Sequence, residues 1–248
     1  MISTIFSLIK IGLFLFIVLV AYFSITYIWD QIYYMRGAYY RCTKRPRTQL
    51  SSRRGTRGEY EIYAALRKLE KEGWKFLFDL YIPKASGGTT EIDILAIGPQ
   101  GIFCIESKDY TGEIYGNEDA KNWVQVKPYL NDPSERDKMF YNPFMQNAGH
   151  VANLKKLLGG QYPSATFYSL VVFADRCQLY VPRSSEYLTE ICQTKNVLKI
   201  FNQMRENGNE MDPEEVKAIY EQMKKYMRPN ILVKAKHRID CHKMALHN

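Results

Sequence analysis

The 248-residue sequence predicts an α/β domain carried behind one N-terminal transmembrane helix and followed by C-terminal helices. Three observations lead there. An uncharged apolar run stands near the start. Two β-rich runs are separated by Gly98-Pro99-Gln100-Gly101, the pattern of a hairpin. Helical periodicities stand on both sides of those runs.

Residues Ile11 to Trp29, IGLFLFIVLVAYFSITYIW, hold no charge. At ~1.5 Å per residue they span roughly 28 Å, about the thickness of a bilayer's hydrocarbon core. Aromatics gather at the far end (Tyr22, Phe23, Tyr27, Trp29, Tyr33, Tyr34), where an interfacial belt belongs. The run is too long for a signal peptide's apolar region, and no small-x-small cleavage site follows it. A retained single-pass anchor in the cell (inner) membrane is expected.

The net charge of +8 is unevenly placed. Asp30 to Arg57 holds eight basic residues (Arg36, Arg41, Lys44, Arg45, Arg47, Arg53, Arg54, Arg57) and one acid, while basic and acidic residues balance from Gly58 onward. A uniformly basic nucleic-acid coat is thereby excluded. Positive charge directly after a span places the C-terminal part in the cytoplasm and suits contact with anionic headgroups. The same charge could guide nucleic acid. The expected organisation is an anchor over 1–30, a basic juxtamembrane neck over 31–57, a domain over 58–183 and a helical region with a tail over 184–248. Five cysteines at 42, 104, 177, 192 and 241, with no CxxC, argue for reduced thiols rather than a disulfide framework or zinc ribbon.

Within the domain, residues 59–71 carry a helical pattern stopped by Gly73. Residues 75–82 read as a strand ended by Pro83. The runs 91–97 and 102–108 form the hairpin, and short strands follow near 113–115 and 123–126. Asn142-Pro143 opens a helix, Asn as cap and Pro at its first position, which stops at Gly159-Gly160. Residues 166–174 form a buried strand. Two further helices are expected over 195–206 and 213–227.

The chemistry concentrates in the hairpin. If Ile97 pairs with Ile102, Asp93 faces Glu106 and Glu91 faces Lys108, and Asp93, Glu106 and Lys108 share a face. Two facing carboxylates repel. In apolar surroundings they call for a cation between them, for which Mg²⁺ is the usual choice. Lys108 would then orient a water or stabilise charge on a phosphate. An acid-x-Lys triplet is weakly specific alone, and the chain has three: Glu106-Ser-Lys108, Asp119-Ala-Lys121 and Glu215-Val-Lys217. Only the first lies on an apolar strand beside another acid. An edge-strand ion pair, such as Glu91 with Lys108, is the plain alternative.

Several motifs in order resemble the NERD (nuclease-related) domain, a branch of the PD-(D/E)xK nuclease superfamily. They are Gly55-Thr-Arg-Gly58-Glu59, Glu91-Ile-Asp93, Gly101-Ile-Phe-Cys-Ile-Glu106-Ser-Lys108, Thr111-Gly112 through Gly116 with Trp123, and Asn142-Pro143-Phe-Met-Gln146 followed by His150 and Leu154. The resemblance implies a restriction-endonuclease-like core, a mixed central sheet flanked by helices, and Mg²⁺-dependent (or Mn²⁺-dependent) phosphodiester hydrolysis, of DNA before RNA. It implies Asp93 and Glu106 as metal ligands and Lys108 as the catalytic lysine. Glu59 would be a further acid, with Gln146 lining the site. His150, one turn beyond Gln146, is read as packed or solvated, and Cys104 as packing.

The rival reading is a tethered nuclease-like module that binds nucleic acid or protein without cutting. The C-terminal helices are candidates for homodimer or partner contacts. The tail residues His237, Cys241, His242 and His247 have no matching ligand cluster and read as a loose terminus.

Overall fold

The computed structural model describes residues 2–52, 54–84, 87–158, 160–182, 189–206 and 208–227. The His/Cys tail lies outside them, and the last expected helix, 213–227, is described throughout and ends at Lys224.

The apolar run sits inside a longer helix, α1 (Ile2–Arg36). It is long and apolar enough to cross a membrane: 33 residues from Thr4 to Arg36, mean hydropathy 2.6, with no part of the window buried in the protein. A signal sequence meets the same test of length and composition. Two short helices follow, α2 (Ala38–Thr43) and α3 (Thr48–Ser52), and then α4 (Arg54–Leu66), which ends in a 3₁₀ segment, Arg67–Glu72. Gly73 closes that segment at φ +88°, a conformation suited to glycine.

The stretch expected as a basic neck is folded into the domain. Tyr34, Ala38, Tyr39, Cys42 and Leu50 belong to the same core as the central sheet. The Tyr39 ring packs edge-on against Phe78 of the sheet, with centroids 5.0 Å apart. Much of the neck's charge is answered within the chain: Arg41 meets Glu70, Arg45 meets Glu59 and Asp79, Arg47 meets Asp30, and Arg57 meets Glu61 and Asp109.

The central sheet has five strands in the order β1 (Lys75–Pro83), β2 (Thr89–Gly98), β3 (Gly101–Lys108), β7 (Phe167–Phe173), β9 (Thr189–Gln193). The first three strands are antiparallel, and β7 and β9 join in parallel, so the sheet is mixed as expected. The hairpin register matches the sequence reading: Ile97 pairs with Ile102, and the ladder closes one step further in at Gly98 and Gly101. At its other end the ladder stops at Ile94 and Ile105, one step short of Asp93 and Glu106. Glu91 does not meet Lys108; it pairs with Tyr81 of β1 and accepts a hydrogen bond from that hydroxyl.

Helix α6 (Pro143–Leu158) starts where Asn142-Pro143 places it. The Asn142 side-chain oxygen caps the Phe144 amide at 2.8 Å. The C-terminal helices are α7 (Val197–Arg205) and α8 (Pro213–Lys224). α7 sends Phe201 between Trp74 and Phe103, at 4.8 and 3.8 Å between centroids. Beyond α8, Met227 bridges to Leu80 at the edge of β1.

A second sheet was not expected as a separate layer. Its order is β6 (Asp137–Tyr141), β5 (Asn122–Val126), β4 (Gly112–Tyr115), β8 (Cys177–Tyr180). A one-turn helix, α5 (Pro133–Arg136), leads into β6. Trp123 and Ile114 cover a smaller core with Phe144 and Phe173.

Candidate active site

The site forms at the carboxyl end of β3, where the strand has left β2 but still pairs with β7 through Lys108. Residues two apart on a strand share a face, and Lys108 Nζ donates to Glu106 Oε1 at 2.7 Å. Helix α6 closes a triangle over this pair: Gln146 Nε2 donates to the same Glu106 oxygen at 2.7 Å, and its Oε1 accepts from Lys108 at 2.9 Å.

Gln146 reaches that position because α6 is fixed at two points. Asn142 Nδ2 donates to the carbonyls of Asn117, Glu118 and Ala120, pinning the helix start. Asn147, fully buried, donates to the Cys104 carbonyl at 2.9 Å and to Ser169 Oγ at 2.9 Å, which ties the helix to β3 and β7. Cys104, read as packing, is fully buried and turns its thiol to Asn147 at 3.2 Å.

Asp93 joins through the backbone. Beyond the end of the β2–β3 ladder, its Oδ2 accepts from the Ser107 amide at 2.8 Å, in place of a main-chain partner. His150 also belongs to the cluster. It is buried, its Nε2 lies 3.3 Å from Glu106 Oε2, and its Nδ1 sits 2.8 Å from Thr90 Oγ1. The signal was its place one turn after Gln146, a spacing that shares a helix face.

Glu59 stands apart. Its Oε2 receives Arg45 at 3.0 Å and the Tyr39 hydroxyl at 3.5 Å. Arg45 is shared with Asp79, 2.9 Å away. Asp79 lies between the pairs Phe78–Ile94 and Leu80–Ile92 and so sits opposite Asp93, yet it leaves the ladder. Its φ of +52° is one that few residues other than glycine, asparagine and aspartate adopt. Helix α4 can bring Glu59 this near only because residue 58 is glycine. A Cβ there would lie 2.7 Å from Ser107 Oγ and 3.2 Å from Asp109 Cβ.

Charge differs across the cluster. Burial alone would raise the Glu106 carboxyl, but the Lys108 charge and His150 outweigh it and bring it down to about 2. Asp93 goes the other way: burial, then the Glu106 and Glu59 charges, hold it well above the usual carboxylate range. Lys108 is raised; burial works against its charge, and Glu106 more than restores it.

One oxygen is left over. Glu106 Oε2 is buried and accepts no well-formed hydrogen bond. Among the described residues no group of three or more His, Cys, Asp or Glu is arranged to hold a metal. The carboxylates the cluster offers are those of Asp93 and Glu106, and oxygen donors of that kind suit a hard cation such as Mg²⁺.

Fold and site together describe an α/β domain whose sheet end presents a carboxylate–lysine–glutamine cluster. The family model of the nuclease-related domain, NERD, matches residues 54–174, just under half of the chain and the part that builds this cluster. A curated but uncharacterized protein of Bacillus anthracis is 32% identical over 126 residues, covering 51% of this chain and 55% of that protein. The chain thus spans about half the length of that relative. No solved structure is significantly similar to it.

Proposed function

We propose that this protein is a metal-dependent nuclease of the PD-(D/E)xK type that hydrolyses phosphodiester bonds, DNA being the first substrate to test. The observation that carries the reading is the closed Glu106–Lys108–Gln146 triangle, with Asp93 held beside it on the Ser107 amide. Asp93 and Glu106 would hold Mg²⁺, or Mn²⁺ in its place, Glu106 through Oε2, the oxygen that His150 approaches and Lys108 and Gln146 leave alone. That ion, when bound, supplies Lewis acidity and a more acidic water. Lys108 presents a cation to charge developing on the phosphate. Gln146 fixes the Lys108 ammonium and one Glu106 oxygen, leaving the other to bind. Glu59, held by Arg45, would be the further acid brought from α4. With α1 as a single-pass anchor in the cell (inner) membrane, the positive charge after it would set the domain on the cytoplasmic side.

The test uses the full chain in detergent or neutral-lipid nanodiscs, with supercoiled, linear and single-stranded DNA and RNA, in Mg²⁺, Mn²⁺ or EDTA. Cleavage that needs metal and disappears in Lys108→Ala supports the reading. Metal-independent cleavage, or cleavage unchanged in Lys108→Ala and Asp93→Ala, overturns it. Metal and nucleic acid bound without cleavage would favour the non-cleaving module, an arrangement in keeping with the Arg45 hold on Glu59.

A further inference from the structure

Beside the cluster, on its solvent side, lies a cleft of about 330 Å³ that contains Lys108. Its floor is the chain leaving β3, residues 107–111, and its wall is the β5–β6 corner with Gln125, Lys127 and Lys138. Lys138 is exposed, and Lys127 is partly so.

The wall is held against the floor by specific contacts. Gly112 has φ +79°, and a Cβ there would come within 2.2 Å of the Val126 carbonyl and 3.3 Å of Lys127 Cα, so the two chains touch. Gln125 Nε2 donates to the Thr111 carbonyl at 2.8 Å, and the Lys127 amide donates to the Arg136 carbonyl at 2.9 Å. Gln125 is the cross-strand partner of Lys138, so both project from the same face of the second sheet.

The charge of this cleft is unanswered. Lys108 has Glu106, and the acid on the floor, Asp109, is taken by Arg57 and Arg176. Among the described residues, neither Lys127 nor Lys138 is within ion-pair distance of an acid, although each of the arginines around them has one. Two ammonium groups on one wall attract an anion that passes along it. A cleft that holds two such lysines and leads to a third calls for a row of negative charges.

We infer that Lys127 and Lys138 form a rail for the phosphodiester backbone of a nucleic-acid strand, guiding it past Lys108. The second sheet is then the substrate-holding layer and the first the reacting one. This rests on the reading that the Lys108 site handles a phosphodiester. Contacts of this kind add affinity without reading sequence.

The experiment measures fluorescence anisotropy of labelled single-stranded DNA, of two unrelated sequences, on the full chain in neutral-lipid nanodiscs. EDTA prevents cleavage, and salt is varied. Lys127→Ala and Lys138→Ala are each expected to weaken binding by roughly threefold to tenfold on both sequences. Each should lower the salt slope by about 0.7. Lys→Arg at either position should restore both. Lys217→Ala, on the exposed face of α8, should change neither. Unchanged affinity and slope in the double alanine variant would overturn the proposal, as would arginine variants that bind as poorly as alanine ones. Lysine-dependent binding by a protein that cuts nothing would leave the rail standing and sink the nuclease reading. Cleavage with KM unmoved in the double variant would do the reverse.

Discussion

Two buried glutamates, one on each side of the Asp93 carboxyl, meet opposite fates. Glu106, on the α6 side, has a lysine to itself, two bonds to one oxygen and a histidine at the other; its carboxyl sits at about 2. Glu59, on the α1 side, must share Arg45 with Asp79. Burial and then the Asp79 charge push it to about 8, with Arg45 only partly offsetting them. Both residues are nearly inaccessible, so depth does not separate them. The number of cations per acid does. One side is set to carry negative charge, and the other is set to keep a proton until something positive arrives.

The largest break in this comparison would come from removing the Arg45 segment altogether. A chain begun at Ser51 loses Tyr34, Tyr39, Cys42 and Leu50 from the core as well as Arg45. It is expected to show no cooperative thermal transition and a collapsed amide NMR spectrum.

Next in size is Lys108→Ala. It leaves Glu106 buried without its cation, costing about 3 kcal/mol of stability, and lowers cleavage by about two to three orders of magnitude. Thermal unfolding and single-turnover cleavage read the two effects separately. Retained cleavage would move the chemistry away from β3.

Arg45→Ala comes third and tests the other side. Glu59 and Asp79 would then face each other unscreened, and the unfolding midpoint should drop more at alkaline than at acid pH. The sign follows from linkage. A carboxyl raised in the folded state binds a proton there that the unfolded chain has already released. Its stabilising contribution is complete below the usual glutamate value of 4.5 and is lost as pH rises toward about 8. Glu59→Gln should flatten that slope, and a midpoint that falls across the window as steeply as in the unaltered protein would show that Glu59 is ionised throughout.

The smallest effect is expected from Gly58→Ala, about 1–2 kcal/mol from pressing a methyl onto Ser107 and Asp109. It should displace α4 from β3 and disturb Glu59 before Glu106, so metal-dependent cleavage should suffer less than in Lys108→Ala.

The α6 side was the more legible of the two in the sequence, for a physical reason. Glu106 and Lys108 are two apart on a strand whose register is fixed by a short turn, and Gln146 follows a helix start written as Asn-Pro. Periods of two and 3.6 residues carry such facts. The α1 side depends on contacts across 14 and 34 positions, Arg45 with Glu59 and with Asp79, which no local period encodes. Asp79 gave no sign either: an Asp among Phe, Leu and Tyr reads as one polar strand position until the backbone turns to φ +52°. Its charge hid in the same way as that of the neck, where Arg41, Arg45, Arg47 and Arg57 look surplus in sequence and prove to be partnered. The strands β6, β8 and β9 have four or five residues each, too few for alternation to show. With β6 went the second sheet and the place of Lys138.

The Tyr34 hydroxyl, near the end of α1, donates to the Arg45 carbonyl at 2.7 Å, and Arg47 reaches back to Asp30. The domain therefore does not hang from α1 on a slack leash that would let it sweep a hemisphere of surroundings. It is bolted to its post. Were α1 taken up by a surface, the direction in which the cleft looks and its standoff would be set with it, and the travelling would fall to the strand proposed above.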